Sequence, residues 1–204
     1  MASKAMGKEA VLRRVSSVVL PPLVRAAVRL RVSPNVLTVV GLVTCLAAAA
    51  LVGSGNLLLG GLVVLLAGLF DLLDGAVARA SGMTSRFGAL VDSVADRVSE
   101  AALLCALVVL YTTRGQNAGI WLSLAALVGS FLTSYVRARA EGLGLQDSVG
   151  VLTRAERVAV LALGLVLDGV TQQAGALIAT AIIAVFSYVT VVQRVAHAWK
   201  QTRK

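Results

Sequence analysis

Six apolar runs, each about the length that crosses a bilayer, follow one another with barely a connector between them. They occupy roughly residues 34–53, 57–79, 86–113, 118–140, 152–170 and 173–196 of the 204-residue chain. A helix rises 1.5 Å per residue, so about 20 apolar residues cover a hydrocarbon core about 30 Å thick. Hydrophobic residues make up 58% of the chain and charged residues 14%, against about 45–50% and about 25% in soluble domains. A globule of this length has no core large enough to hide that much apolar side chain. A soluble fold is excluded, and so is a disordered chain, which would be poor in aliphatic residues. The expected fold is all-α and integral to the membrane, with six transmembrane helices plus an N-terminal amphipathic surface helix.

Local signals agree. Ser33 followed by Pro34 reads as an N-cap and first helical residue opening the first span. The connectors are turn-like: Gly53-Ser54-Gly55-Asn56, Ser81-Gly82-Met83-Thr84 and Arg114-Gly115-Gln116-Asn117. Residues 8–31 alternate apolar and basic positions around Pro21-Pro22, as expected of a broken amphipathic helix on the membrane surface. The chain therefore divides into a cytoplasmic juxtamembrane segment, 1–33, and a six-helix domain, 34–204, without internal repeats. The N-terminal stretch does not read as a signal peptide, because charges from Lys4 to Arg31 interrupt every apolar stretch there.

Charge sets the orientation. With six spans, both termini and loops 2–3 and 4–5 share one side, and 17 of the 19 Lys and Arg residues fall there. Arg97 lies within span three and Arg114 alone on the opposite side. The positive-inside rule puts both termini in the cytoplasm of a multi-pass cell-membrane protein. Aromatics, at 4%, are too few for a stacking platform, so no nucleic-acid partner is expected. Cys45 and Cys105 lack metal-type spacing and read as small hydrophobes. With His197 the only histidine, a Ser-His-Asp triad is not favoured.

The scarce acids carry the chemistry. Asp71, Asp74, Asp92, Asp96 and Glu100 all fall inside expected membrane helices. An unpaired Asp at mid-membrane costs on the order of 2.5–3.5 kcal/mol, and four cost on the order of 10 kcal/mol before repulsion is counted. Asp71 and Asp74 are three apart, and Asp92 and Asp96 four apart, so each pair shares a helix face. A short connector between their helices suggests antiparallel neighbours with both pairs at one depth, about 9 Å inside. Four converging carboxylates make a hard-oxygen site for Mg²⁺ or Mn²⁺, and two such ions would offset the charge and activate phosphoryl chemistry. The competing reading is structural ion pairing with Arg79, Arg86 and Arg97. Glu100 continues the Asp92–Asp96 face and has Arg97 as a candidate partner, so it stays outside the site. Gly75, Ala78, Gly82 and Gly88 surround the acids and would let a phosphate or ribose come close.

The run Asp71-Leu-Leu-Asp74-Gly75-Ala-Val-Ala78-Arg79, then Gly88, Asp92 and Asp96 at fixed spacing, resembles the signature of the CDP-alcohol phosphotransferases at every defined position. Members transfer a phosphatidyl-type group from a CDP-linked lipid to an alcohol and release CMP. The resemblance implies that Asp71, Asp74, Asp92 and Asp96 ligate metal, and that Asp96 is also the catalytic general base. It implies that Gly75, Ala78, Arg79, Ser85 and Gly88, with Asn35 and Thr38 opening the first span, bind the CDP-lipid. It also implies a homodimer in the bilayer.

Acceptor choice rests on the arginines. Ser134-Tyr135-Val136-Arg137-Ala138-Arg139, Arg154-Ala155-Glu156-Arg157 and Gln193-Arg194 resemble the actinobacterial phosphatidylinositol-phosphate synthases. There, matching positions line a pocket for the phosphate of inositol 1-phosphate. Arg137 stands where that group commonly has Lys, and Thr153-Arg154-Ala155-Glu156-Arg157 replaces its Glu-Arg-Pro-Glu-Arg. By this resemblance Arg137, Arg154, Arg157 and Arg194 bind the acceptor phosphate, and Arg139 is left unassigned. The expected partners are CDP-diacylglycerol and inositol 1-phosphate, with phosphatidylglycerophosphate synthesis from glycerol 3-phosphate as the alternative. A divalent-metal transporter is the reading from a different class, disfavoured because its sites lie near the midplane of repeated halves. A lipid-binding scaffold with a decayed site is disfavoured by the intact signature.

Overall fold

The computed structural model describes residues 21–146 and 149–203. It is all-helical. Six long helices follow in order: α1 (Pro34–Gly53), α2 (Leu57–Ser81), α3 (Arg86–Thr113), α4 (Asn117–Gly142), α5 (Arg154–Thr171) and α6 (Gly175–Thr202). Four of them, α1, α2, α4 and α6, are long and apolar enough to cross a membrane. The other two carry most of the charges that meet at the site, joined there by Asp71 and Asp74 of α2. α6 runs past the expected end at residue 196 to Thr202.

Caps explain the starts. Ser33 Oγ accepts from Val36 N at 3.4 Å ahead of Pro34, and Ser85 Oγ accepts from Gly88 N at 2.9 Å. At α5 the Thr153 N–H donates to Glu156 Oε2 at 2.7 Å, closing half of a capping box. α2 stops where Gly82 takes the left-handed conformation, φ 67°, which costs glycine little.

A helical stretch over 21–29 precedes α1; the expected amphipathic segment upstream of residue 21 lies outside the described residues. The stretch closes with Arg31 at φ 53°, while Val32 N reaches Ala27 O and Arg31 N reaches Val28 O. Those paired bonds form a Schellman stop. Val24 and Ala27 pack against the buried Leu37, Leu73 and Val77, which docks the stretch on α1 and α2.

The long helices form a ring in the order α1, α2, α5, α6, α4, α3 and back to α1. This corrects one expectation. α2 and α3 are consecutive and bear the aspartates, yet their backbones make almost no close approach. α1 packs on both instead. Small residues permit the tight contacts: a Cβ on Gly169 would meet the Leu58 backbone, and one on Gly164 would meet Ala179 and the Gly175 carbonyl. Leu103, Leu104, Leu107, Leu165 and Ile183 fill the interior. Val43, Leu62, Val128 and Val185 are exposed on the outside, the reverse of a soluble pattern. Cys45 is buried with its thiol 3.7 Å from Ser99 O, whereas Cys105 is exposed.

Candidate active site

Three of the four aspartates converge. Carboxylate oxygens of Asp71, Asp92 and Asp96 lie within 4.8 Å of one another. Asp71 comes from the middle of α2, and Asp92 and Asp96 from successive turns of α3, so the gap between these splayed helices receives all three. Hard oxygen donors at this spacing suit a small divalent cation such as Mg²⁺ or Mn²⁺. Asp74 stands apart from the trio. It is buried, and its Oδ2 accepts a hydrogen bond from Thr38 Oγ1 at 2.8 Å. Thr38, expected on the nucleotide, here links α1 to an acid of α2.

Positive charge reaches the trio from α5. Arg154 Nη1 lies 2.9 Å from Asp71 Oδ1 and 2.5 Å from Asp96 Oδ1. The same side chain leaves its buried Nε without a partner among the described residues. Arg97, weighed as a counter-ion, lies 3.8 Å from Asp96 and donates to Ser93 O at 2.6 Å. Glu100 does not pair with it. One turn deeper, Glu100 takes both Arg157 Nε, at 2.6 Å, and Arg157 Nη2, at 3.0 Å.

The helix starts meet beside the acids. A Cβ on Gly88 would lie 3.0 Å from Ser85 Oγ and 3.3 Å from Asn35 Oδ1, so Asn35, Ser85 and Gly88 share one wall. The N-termini of α1 and α3 therefore adjoin, and their unpaired N–H groups favour an anion. On α2, Arg79 folds back so that a Cβ on Gly75 would sit 3.4 Å from its Nη1. Ala78 lies between them on the same helix, half-buried.

The four arginines expected on the acceptor phosphate divide. Arg137 and Arg194 line a cavity of about 620 Å³ that also takes in Gly144, Gln146, Gly150 and Thr153. Arg137 is exposed and ion-paired to Glu141 at 2.8 Å. Arg194 donates from Nε to Val149 O at 3.0 Å and from Nη1 to Thr133 O at 2.7 Å. Arg154 adjoins Thr153 of that cavity but reaches the acids, and Arg157 is buried against Glu100. Sequence reasoning placed Glu100 on the Asp92–Asp96 face but gave it the wrong partner, Arg97 in place of Arg157. The signal for the right one was the spacing: Asp92, Asp96 and Glu100 recur every four residues on α3, and Arg154 and Arg157 stand three apart on α5.

Residues 31–193 match the family described as CDP-alcohol phosphatidyltransferase. The phosphatidylinositol phosphate synthase of Corynebacterium glutamicum is 35% identical over 191 residues, 92% of this chain and 87% of that one. The archaetidylinositol phosphate synthase of Methanothermobacter thermautotrophicus is 31% identical over 182 residues, 86% and 87% of the two chains. Among solved structures, the Mycobacterium tuberculosis phosphatidylinositol phosphate synthase with CDP-DAG bound superposes with a TM-score of 0.79. It is 33% identical, over 89% of this chain and 94% of that one. The same enzyme in complex with manganese and citrate gives a TM-score of 0.80 at 33% identity, with 89% of each chain covered.

Proposed function

This chain belongs to the CDP-alcohol phosphatidyltransferase family, and from that premise we propose that it makes phosphatidylinositol phosphate from CDP-diacylglycerol and inositol 1-phosphate, releasing CMP. One observation carries the reading: the Asp71, Asp92 and Asp96 carboxylates converge within 4.8 Å next to an arginine-lined cavity. The relatives' names differ in the lipid, phosphatidyl or archaetidyl, and agree on inositol phosphate.

Asp71, Asp92 and Asp96, with Asp74 steadied by Thr38, would hold Mg²⁺ or Mn²⁺, two ions in our reading. Such ions, when bound, neutralise the diphosphate and polarise its phosphorus. The nucleotide end of the donor lies against Asn35, Ser85, Gly88, Gly75, Ala78 and Arg79, where two helix N-termini favour its negative charge. Arg137 and Arg194 hold the acceptor phosphate, a task suited to charge-assisted guanidinium bonds. Arg154 joins them through its unused Nε. Asp96 accepts the proton of the acceptor hydroxyl as its oxygen bonds to phosphorus and the bond to CMP breaks.

In this reading α3 and α5 also span, giving six membrane helices, because their charges face one another across the interior. The stretch over 21–29, with Arg25 and Arg29 exposed, lies along the cytoplasmic surface of the cell membrane. Both termini and the site are on that side, and the working unit is a homodimer.

The test supplies purified protein with CDP-diacylglycerol, Mg²⁺ and one acceptor at a time. CMP release with inositol 1-phosphate is the expected result, abolished by EDTA and restored by Mg²⁺ or Mn²⁺. Release with glycerol 3-phosphate alone would transfer the assignment to phosphatidylglycerophosphate synthesis.

A further inference from the structure

Just beyond the acid trio a second pair of charges crosses the bundle. Glu100 is 6% exposed and Arg157 3%, and they meet through two parallel hydrogen bonds, Nε to Oε1 at 2.6 Å and Nη2 to Oε2 at 3.0 Å. The third nitrogen, Nη1, donates to the Leu152 carbonyl at 3.3 Å. The loop entering α5 is thus tied to the same guanidinium. The helices so joined, α3 and α5, are not ring neighbours and have no extended backbone contact.

The pair stands in register with the site. Glu100 follows Asp96 by one turn of α3, and Arg157 follows Arg154 by nearly one turn of α5. Asp96–Arg154 and Glu100–Arg157 therefore form two rungs between the same helices, and only the second is buried away from the reacting groups. A buried ion pair is weak evidence for stability, since apolar residues of similar volume often replace it without loss. What a two-point guanidinium–carboxylate fork supplies is one fixed geometry.

We propose that Glu100 and Arg157 are positioning residues, a buried strut that sets the first turn of α5 against α3 and thereby aligns Arg154 and Asp96 for transfer. The Arg157 guanidinium is engaged by Glu100 and the Leu152 carbonyl, so in this proposal it acts through its neighbour Arg154. This rests on the transferase reading above.

Two variants test it, each checked for folding by thermal denaturation in detergent. Glu100→Asp keeps the charge and withdraws the carboxylate by one methylene. The double variant Glu100→Leu/Arg157→Met removes the strut and leaves an apolar filling. Mn²⁺ affinity is measured by calorimetry, and steady-state kinetics use CDP-diacylglycerol with inositol 1-phosphate.

Misplacing a reacting group by about 1 Å costs about 100-fold in rate, and loss of a partner that orients metal ligands costs about 10-fold or more in metal affinity. Both variants are expected to lose kcat on that scale and to bind Mn²⁺ more weakly, with KM for CDP-diacylglycerol within about twofold. Should Glu100→Asp fail to fold, the apolar pair decides. A folded apolar pair with wild-type kcat and Mn²⁺ affinity overturns the proposal, leaving the pair merely structural. Failure of the transferase reading is separable: the unaltered protein would then release no CMP with either acceptor, while the Mn²⁺ comparison would still test the strut.

Discussion

The Thr38 hydroxyl donates to Asp74 Oδ2 over 2.8 Å, joining the start of α1 to the middle of α2. Asp74 is buried, so this bond satisfies an oxygen that water does not reach. Thr38→Val would leave it unpaired at a cost of about 1–3 kcal/mol. The expected outcome is a lower melting temperature and CMP release reduced about tenfold, the lower end for outer partners of metal ligands. Thr38→Ser, which keeps the hydroxyl, should stay near wild type in both assays.

Arg154 places one positive charge against Asp71 and Asp96, with Asp92 beside them. Arg154→Ala would leave three like charges facing one another. Its melting temperature should fall in EDTA and rise with added Mg²⁺ by more than the wild type's does. Turnover should drop about 100-fold, as on removing one preorganised charge-stabilising donor. Equal Mg²⁺ shifts in the two proteins would refute the electrostatic reading.

Arg137 and Arg194 line one cavity but differ in what else they hold. Arg137→Ala removes an exposed guanidinium, so KM for the acceptor should rise about tenfold, as for one charge-assisted bond, without a change in KM for CDP-diacylglycerol. Arg194→Ala also frees the Val149 and Thr133 carbonyls, and should lower thermal stability as well. Parallel titrations of each substrate read the difference.

Gly169 lies at the far end of α5 from Arg154, about 22 Å along the helix. A methyl group there would collide with the Leu58 backbone, and overpacking of this kind costs about 1–3 kcal/mol. Gly169→Ala should lower the melting temperature while kcat/KM, measured well below the transition, stays within about twofold.

Much of this was legible in the sequence. α1 begins and ends at the residues read for it, because Ser33, Pro34 and the Gly55 turn act locally. The acids at 71, 74, 92 and 96 stood out because an apolar solvent makes each one costly. Short-range signals could not say which helices touch. The brief connector after Ser81 implied that α2 and α3 pack together, but α1 packs on both and the acids meet across the resulting gap. Glu100 was set beside Arg97, three residues behind it on the same helix, whereas its partner stands 57 residues away. Charge and spacing in the chain determined an apolar all-helical protein with metal-seeking acids and phosphate-seeking arginines. Tertiary structure alone decided which arginine faces an acid and which lines the cavity, because that depends on how six helices close into a ring, and the contacts closing it join residues far apart in the chain.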